Sequence, residues 1–400
     1  MAATRASRTA VLSASHFVLK RLMRLRAAFI RGGTSKAVVF RRQDLPGDRA
    51  LWDAIFLRVM GSPDPSGRQL DGLGGGLSSV SKVCIVGPAS RADADVDYTF
   101  AQVAVTESLV DYSGNCGNMS SAIGPFALEE GLAAAPQDGE AVVRLHNTNT
   151  SKIIVARFPV VGGVLAPDGD LAIDGVAGTA APIRLEFVEP GGAKSGRLLP
   201  TGAAQDMLTI PGLGAIAASC IDAANPCVFV AADALGMTGT ELPDQQQTNA
   251  LFLERMESIR RAASVRMGLA PDLDAAARIP SIPKVAMLSA PTAAATLSGH
   301  RLSAADIDIG IRMISIGQPH RAVPITGAIC LAIAARVAGS LPHRLCRAMA
   351  GPIRIGHPSG TILVDAAVAT DADATPKALY GAVYRSARRL FDGEVLYRAD

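Results

Sequence analysis

The chain is organised around a short polar turn that leads directly into a long apolar segment. Residues 113–121 read SGNCGNMSS, and an apolar pattern with helical spacing runs from there to Gly131. The small, turn-forming residues stop where the pattern begins, and a glycine at its end is typical of a helix C-terminus. The stretch therefore predicts a helix that begins beside Cys116, with a kink at Gly124-Pro125 in its first turns.

The start of this helix is a candidate site for chemistry. The unpaired N–H groups of a helix N-terminus attract anions and favour the thiolate form of a cysteine placed there. Gly114 and Gly117 let the backbone come close to a ligand, and Asn115 and Asn118 can cap the helix or donate hydrogen bonds. Cys116 would then be an activated thiol that faces a negatively charged ligand. The alternative is a buried free cysteine at a tight turn.

A second stretch of the same kind lies half a chain away. Residues 318–330 read QPHRAVPITGAIC and again pass from a proline-marked turn into an apolar helix, which we expect to reach residue 338 or 339. Cys116 and Pro324 are 324 − 116 = 208 residues apart in a chain of 400. This spacing favours a duplicated unit, in which each half wraps strands around one buried helix. His320 is either a ligand-binding residue or a surface or capping histidine.

A long glycine-rich loop precedes a lysine at the start of a strand. Residues 61–82 read GSPDPSGRQLDGLGGGLSSVSK, and loops of this length are usually functional or disordered. A strand follows it instead of a helix, which is a poor fit to dinucleotide binding. Lys82 is either a solvated residue at a strand end or a lysine that the loop covers. A covered amine would be held neutral, as a lysine base requires.

Two further turns could bind carboxylates. In RGGTSK (31–36), two glycines precede Thr34 and Ser35, which are flanked by cations, and the spacing excludes a phosphate-binding P-loop. In GHPSGT (356–361), Ser359 and the backbone N–H groups beside Gly360 could bind a second carboxylate. The alternatives are a hairpin turn with exposed charges and a simple proline turn.

The remaining periodic segments predict a mixture of helices and short strands. Helices are expected over 48–60 and, with clear amphipathic spacing, over 246–267. Strands are expected over 37–40, 83–86, 96–105, 183–188, 227–232, 284–288 and 361–368, with two more within 141–161.

Composition narrows the class of protein. The 400 residues suggest two domains, and 49% hydrophobic with 19% charged residues is typical of a soluble globular protein. A net charge of +3, with no basic patch interleaved with aromatic residues, argues against nucleic-acid binding. The longest mostly apolar stretch, 322–335, is too short to cross a membrane.

Cysteine and histidine spacing argues against a metal. The six cysteines form no CxxC pair, the six histidines form no HExxH motif, and no nucleotide fingerprint is present, so neither metal nor cofactor is expected. Free thiols indicate a reducing compartment, and we expect a cytoplasmic protein. Residues 1–26 contain basic but no acidic residues. They could form an organelle transit peptide, a flexible leader, or an upstream extension before a true start at Met23.

Taken together, these motifs resemble the PrpF family of methylaconitate and aconitate isomerases and oxalomesaconate tautomerases. The resemblance runs from about Ala27 to the C-terminus, and only the combination of motifs in this order is specific. Ala37 stands where the family often has glycine. The matching segments are RGGTSK (31–36), GSPD (61–64), QLDGLGGG (69–76), SSVSK (78–82), DVDYTFAQV (95–103), GNCGN (114–118), LLPTG (198–202), TGAIC (326–330), GHPSG (356–360) and RSARRLFDGEV (385–395).

The resemblance implies an α+β fold like that of diaminopimelate epimerase. Two similar domains would each wrap a barrel-like sheet around a central helix, with the active site in the cleft between them. The first would span 27–185, which residues 386–400 could join, and the second 186–385. Such epimerases carry a cysteine at each central helix, whereas the second turn here holds Pro324, and Cys330 is expected in the core. Two-thiol racemisation is therefore not expected.

The resemblance also implies an activity and its residues. The expected enzyme is a cofactor-independent isomerase that shifts a C=C bond, by allylic proton transfer or cis–trans isomerisation, in an unsaturated tricarboxylate such as aconitate or methylaconitate. Lys82 would be the base and Cys116 its partner. The implied carboxylate-binding residues are Ser35, Thr34, Asn115, Gly117, Asn118, Thr326, Ser359 and Gly360, with His320 added if it is protonated. The alternatives are a 4-oxalomesaconate tautomerase and a non-catalytic carboxylate-binding accessory protein; a homo-oligomer stays open.

Overall fold

Two buried helices, each enclosed by strands, form the centres of the molecule. The computed structural model describes residues 22–398 except 113, 135, 316 and 372–374. The helices are α1 (Trp52–Met60), α2 (Gly117–Glu129), α3 (Pro243–Gln247), α4 (Ala250–Arg266), α5 (Leu273–Ala277), α6 (Ile325–Ala334) and α7 (Leu341–Leu345). The central helices are α2 and α6, and almost every residue of both is buried.

The strands divide between the two halves of the chain. The first half contains β1 (Leu22–Gly32), β2 (Ser35–Arg41), β3 (Lys82–Pro88), β4 (Val96–Val103), β5 (Val110–Asp111), β6 (Gly139–Asn147), β7 (Lys152–Val161), β8 (Val164–Leu165), β9 (Leu171–Ile173), β10 (Val176–Ala180) and β11 (Ile183–Val188). The second half contains β12 (Asp206–Ile210), β13 (Gly214–Ala223), β14 (Asn225–Ala231), β15 (Lys284–Ser289), β16 (Ala294–Ala295), β17 (Arg301–Leu302), β18 (Ile309–Ser315), β19 (Gln318–Pro319), β20 (Ile353–His357), β21 (Gly360–Thr370), β22 (Pro376–Arg385) and β23 (Ala387–Arg398).

The two halves repeat one pattern of strand pairing. In the first, β1 and β2 form a hairpin, β2 pairs parallel with β3, β3 antiparallel with β4, β4 parallel with β6, and β6 antiparallel with β7. In the second, β13, β14, β15, β18, β20 and β21 repeat this order with the same directions. The central helix follows the fourth strand in each half. The structure thus contains the duplicated unit that the 208-residue spacing predicts, and Lys82 of β3 corresponds to Lys284 of β15.

Each sheet buries both of its faces. The inner faces pack on α2 and α6 in one continuous apolar core, while α1 covers the outer face of the first sheet and α4 that of the second. On β3, Cys84 and Val86 point to the α2 side, and Val83 and Ile85 point to the α1 side. Because side chains alternate along a strand, Lys82 lies on the α2 side with Cys84.

The halves join along β11 and β23. Strand β11 pairs with β7 of the first half and with β22 of the second, and β23 returns to pair with β1. We propose that the halves are two domains, the first comprising 27–185 with the C-terminal strand and the second 186–385. The α+β fold of two barrel-like sheets around central helices agrees with the sequence prediction.

The first strand begins earlier than the sequence suggests. Residues 22–26, assigned above to the basic leader, form the start of β1 and pair with β23. Their cations lack acidic neighbours in sequence but have them in space, since Arg24 lies 3.1 Å from Glu394 and Arg26 lies 3.3 Å from Glu130. The rest of the leader prediction, residues 1–21, lies outside the described part of the chain.

Other boundaries differ for local reasons. The helix expected over 246–267 is divided between α3 and α4, because the Asn249 side chain accepts a hydrogen bond from the Phe252 amide and caps a new helix. Helix α6 ends at Ala334, before the expected residue 338. Helix α2 continues through Pro125. Within the described residues, no helix is long and apolar enough to cross a membrane.

Candidate active site

The two central helices meet at their N-termini. A Cβ placed on Gly117, the first residue of α2, would lie 2.9 Å from Cγ2 of Ile325, the first residue of α6. Neither Cys116 nor Pro324, the residues that precede the helices, provides a side-chain cap. The first backbone hydrogen bond of α2 runs from the Ser120 amide to the Cys116 carbonyl, and that of α6 from the Ala328 amide to the Pro324 carbonyl. The N–H groups before them are therefore left for a ligand between the halves.

Lys82 is buried beside this junction. The residue is only 7% exposed, its Nζ donates to Oε1 of Gln102 at 2.5 Å, and Nζ stands 5.0 Å above the centre of the Phe100 ring. It lies on the side of β3 that faces α2. Of the two alternatives left open for Lys82, the structure therefore shows a buried lysine and not a solvated one. An amide oxygen and an aromatic face are both suited to receive an ammonium when the amine takes up a proton.

The glycine-rich loop is ordered by one glutamine. Gln69 is fully buried with a φ of 53°, and its Oε1 accepts hydrogen bonds from the Gly76 amide (2.9 Å) and the Ser81 hydroxyl (2.6 Å). Its Nε2 donates to Ser62 at 2.8 Å. The amide of Gln69 itself donates to the carboxylate of Asp64, which also accepts from two neighbouring amides, and these bonds lower the pKa of Asp64. The loop is thereby fixed at Ser81, the residue before Lys82.

Cys116 shares a neighbourhood with Lys82 through Cys84. Burial raises the pKa of Cys84; the Cys116 thiol raises it further, and the Lys82 ammonium acts in the opposite direction. The pKa of Tyr98 is likewise raised by burial and then by Cys84 and Cys116. Both predicted catalytic residues therefore lie within electrostatic reach of the same buried thiol. Cys116 is half-buried, whereas Cys330 is fully buried and its Sγ donates to the Ile221 carbonyl.

The RGGTSK turn lies against the start of α2. It is the β1–β2 hairpin turn, as one of the two alternatives has it, although the flanking cations Arg31 and Lys36 are half-buried and not exposed. The turn also borders the candidate site. Asn118 donates from Nδ2 to Oγ1 of Thr34 at 3.2 Å, and a Cβ on Gly33 would collide with the Asn118 side chain. Ser35 is buried beneath the turn, and Asn115 accepts a hydrogen bond from Asn147 at 3.3 Å. The structure thus brings these predicted residues together at the start of α2.

The predicted residues of the second half lie around the start of α6. Thr326 is the second residue of α6 and is half-buried. His320 precedes the helix, burial lowers its pKa, and its Nδ1 accepts from the Ala322 amide at 3.1 Å. The predicted role of His320 required a protonated ring, and this environment favours the neutral one. A neutral ring keeps one N–H as a donor.

The GHPSG turn already holds a carboxylate of the chain. The amide of Thr361 donates to Asp174 at 2.8 Å, and a Cβ on Gly360, where φ is 139°, would overlap the Asp174 carboxylate. Asp174 lies in the turn of the β9–β10 hairpin. The hydroxyl of Ser359 donates to the Arg321 carbonyl at 2.5 Å, so it must rotate before it can bind a ligand. The backbone beside Gly360 can therefore bind a carboxylate, but in this structure Asp174 occupies that place, and a ligand would have to displace it.

Several cationic groups near the junction were not predicted from the sequence. Arg385, Arg312 and Lys284 all have lowered pKa values because they are buried, and those of the two arginines fall to about 10. Burial and the positive charges of Arg385, Arg312 and His320 lower the pKa of His357 to about 3. Arg385 begins the segment RSARRLFDGEV (385–395), which pointed to the family but to no role for this residue, whereas Arg312 and Lys284 lie in none of the matching segments. Within the described residues, no group of three His, Cys, Asp or Glu side chains could hold a metal.

Comparison with known proteins agrees with this arrangement. A family model described as PrpF protein matches residues 22–398. The 2-methyl-aconitate isomerase of Shewanella oneidensis is 40% identical, over 93% of this chain and 96% of that protein. The 3-methylitaconate isomerase of Eubacterium barkeri is 40% identical, over 93% and 97%. A solved structure of methylitaconate-delta-isomerase matches with a TM-score of 0.87 and 39% identity, over 94% of this chain and 96% of that one. The predictions of family, fold class and isomerase activity are confirmed, and the chain is an isomerase that belongs to the PrpF family.

Proposed function

We propose that the protein moves a C=C bond within a small unsaturated tricarboxylate by allylic proton transfer. The observation that carries this proposal is the meeting of two uncapped helix N-termini beside a buried lysine and a half-buried cysteine. Uncapped N-termini bind carboxylates, and the lysine and the cysteine can exchange protons. The named substrates of the two relatives, methylaconitate and methylitaconate, are unsaturated carboxylic acids.

Lys82 would take the allylic proton as a neutral amine. The electron pair of the broken C–H bond forms the new C=C bond, and the charge of the resulting dienolate spreads onto a carboxylate. The ammonium then formed would rest between Oε1 of Gln102 and the Phe100 ring. Cys116 would give a proton to the far end of the dienolate. The Lys82 ammonium would then either pass its proton to Cys116, or release it to solvent while Cys116 takes one from solvent. One proton leaves the substrate and one returns, so the product is an isomer.

Backbone N–H groups would stabilise the dienolate. Preorganised donors aimed at developing charge are usually the largest single contribution to catalysis of this kind. The N-termini of α2 and α6 supply such donors on both sides of the junction. We propose that the carboxylate-binding residues are Ser35, Thr34, Asn115, Gly117, Asn118, Thr326, Ser359 and Gly360. His320 would take part as a neutral donor.

The setting we propose is that of a cytoplasmic enzyme with a small-molecule partner and no cofactor, nucleic acid or membrane. All six cysteines are free, and four of them are fully buried. Free thiols persist in a reducing compartment.

A substrate screen tests the proposed function. Purified protein, dialysed against a chelator, is mixed separately with cis-aconitate, methylaconitate, methylitaconate and oxalomesaconate, and the reaction is followed by ultraviolet absorbance and proton NMR. We expect turnover of at least one of the first three acids. Turnover of oxalomesaconate alone would identify a keto-acid tautomerase instead. Absence of turnover with all four, or a strict need for added metal, would contradict the proposal.

A further inference from the structure

Arg385 joins the two halves at the candidate site. It is the last residue of β22, in the second half, and is paired with Ile183 of β11. Its Nε donates to Oδ1 of Asn118 at 3.1 Å, at the start of α2 in the first half. Its Cδ lies 3.1 Å from the place that a Cβ on Gly33 would occupy. The side chain therefore lies between the RGGTSK turn and the start of α2.

The guanidinium has no carboxylate partner within the described part of the chain. Nη1 donates to the Tyr384 carbonyl at 2.8 Å, Nε donates to Asn118, and Nη2 donates to no residue of that part. Among the described residues, no carboxylate lies within ion-pair distance of Arg385. Arg184, which is half-buried on the neighbouring strand, is by contrast paired with Asp365 at 3.1 Å. Arg385 is half-buried as well, and a partly buried cation without a counter-ion is costly to folding.

The charge of Arg385 reaches the second carboxylate-binding turn. Together with burial, it lowers the pKa of His357, which lies in the GHPSG turn. His357 is buried and its Nδ1 accepts from the Ser359 amide at 3.2 Å, so the ring adds no charge of its own at neutral pH. The guanidinium is thus a fixed cation within electrostatic reach of both turns.

We infer that Arg385 binds one carboxylate of the substrate directly, with the Asn118 side chain, itself bonded to Thr34, holding the guanidinium in place. The planar fork suits a carboxylate, and the remaining N–H donors can make the charge-assisted bonds. A tricarboxylate would bring the counter-ion that the described part of the folded chain lacks. This inference rests on the proposed function for the identity of the ligand.

Binding of an unreactive acid tests the inference independently of turnover. Propane-1,2,3-tricarboxylate is titrated calorimetrically into the wild-type protein and into Arg385→Met, Arg385→Lys and Arg388→Met. Arg388 is exposed and follows closely on the same polypeptide segment, so its variant controls for the loss of one positive charge. We expect Arg385→Met to weaken binding by about 10- to 100-fold and Arg388→Met by less than about threefold. Arg385→Lys should recover only part of the loss, because an ammonium lacks the fork.

Stability separates a binding role from a structural one. Urea unfolding of Arg385→Met should give a free energy of unfolding equal to or above that of wild type, because a half-buried charge without a counter-ion has been removed. Two results would overturn the inference. In the first, Arg385→Met binds the acid as tightly as wild type. In the second, both Arg385 variants lose binding only because they no longer fold. If wild type binds this acid yet isomerises none of the four acids of the screen, the proposed function fails and the assignment of Arg385 stands.

Discussion

Gly117 of α2 lies directly against Ile325 of α6, and its lack of a side chain is what allows the two helix N-termini to meet. A Cβ at this position would stand 2.9 Å from Cγ2 and 3.1 Å from Cδ1 of Ile325. Such contacts are too short for carbon atoms, so the helices would have to separate. The approach of these two residues brings the first N–H groups of α2 and α6 close together.

Gly117→Ala should therefore reduce both activity and stability. Relief of the overlap moves the helix ends apart, and a displacement of about 1 Å can cost on the order of 100-fold in rate. We expect kcat/KM to fall by at least about tenfold and the free energy of unfolding by about 1–3 kcal/mol. Gly47→Ala is the control, since a Cβ there meets nothing within 4 Å and the residue lies outside the turns assigned to the site. Equal activity in the two variants would argue against a ligand held by both helices.

Gln69→Leu should loosen the loop that covers Lys82. The substitution removes the acceptor of the Gly76 amide, and an unsatisfied buried donor costs about 1–3 kcal/mol. It also breaks the link from the loop to the Ser81 hydroxyl, which keeps only the Leu77 carbonyl as an acceptor. We expect lower stability in urea unfolding and faster proteolysis within residues 61–82. Leu70→Gln, at an exposed position of the same loop, should leave both unchanged. A Gln69→Leu protein with wild-type stability would show that the loop is held by other contacts.

Local patterns predicted much of this fold, and long-range contacts account for what they missed. Alternation and helical spacing located both central helices and the strand bearing Lys82, because those signals lie within a few residues. The partner of Arg385 is Asn118, 267 residues away, and the partner of Thr361 is Asp174, 187 residues away. Arg24 and Glu394 are 370 residues apart, so the start of β1 looked like an unpaired basic leader. A motif shows which residues a segment contains, but only the fold shows which distant residues lie against them.

Stability should fall as the pH is lowered from about 6.5, because the unfolded chain can protonate His357 and the folded chain resists it. Burial and neighbouring cations lower the pKa of His357 to about 3, so its stabilising effect is complete above the unfolded value and declines below it. Its contribution to the slope is at most about 1.4 kcal/mol per pH unit. His357→Gln should flatten the dependence of urea unfolding between about pH 6.5 and 5, whereas His300→Gln, at an exposed site, should not. Parallel slopes in wild type and His357→Gln would contradict the buried neutral ring.

Cys116 should control how much solvent hydrogen enters the product. In deuterium oxide, a second acid–base group that exchanges with solvent gives extensive labelling, whereas a single ammonium that shuttles the proton retains some of the original hydrogen. We expect Cys116→Ser to change the labelled fraction and to be milder in rate than Cys116→Ala. Cys330→Ser should leave the fraction unchanged, because that thiol is sealed in the core. A change caused by Cys330→Ser would place the second proton carrier at α6 instead of α2.

The central claim is that Lys82 removes the allylic proton, and turnover of Lys82→Ala tests it most directly. The variant is compared with wild type and with Lys284→Ala, which alters the corresponding position of the second half, by proton NMR in deuterium oxide. After folding is verified by circular dichroism, Lys82→Ala should lose at least about 10²–10⁴-fold in turnover. It should also lose exchange of the allylic hydrogen, while Lys284→Ala retains that exchange. Near-wild-type turnover and exchange in Lys82→Ala would remove this lysine from the mechanism.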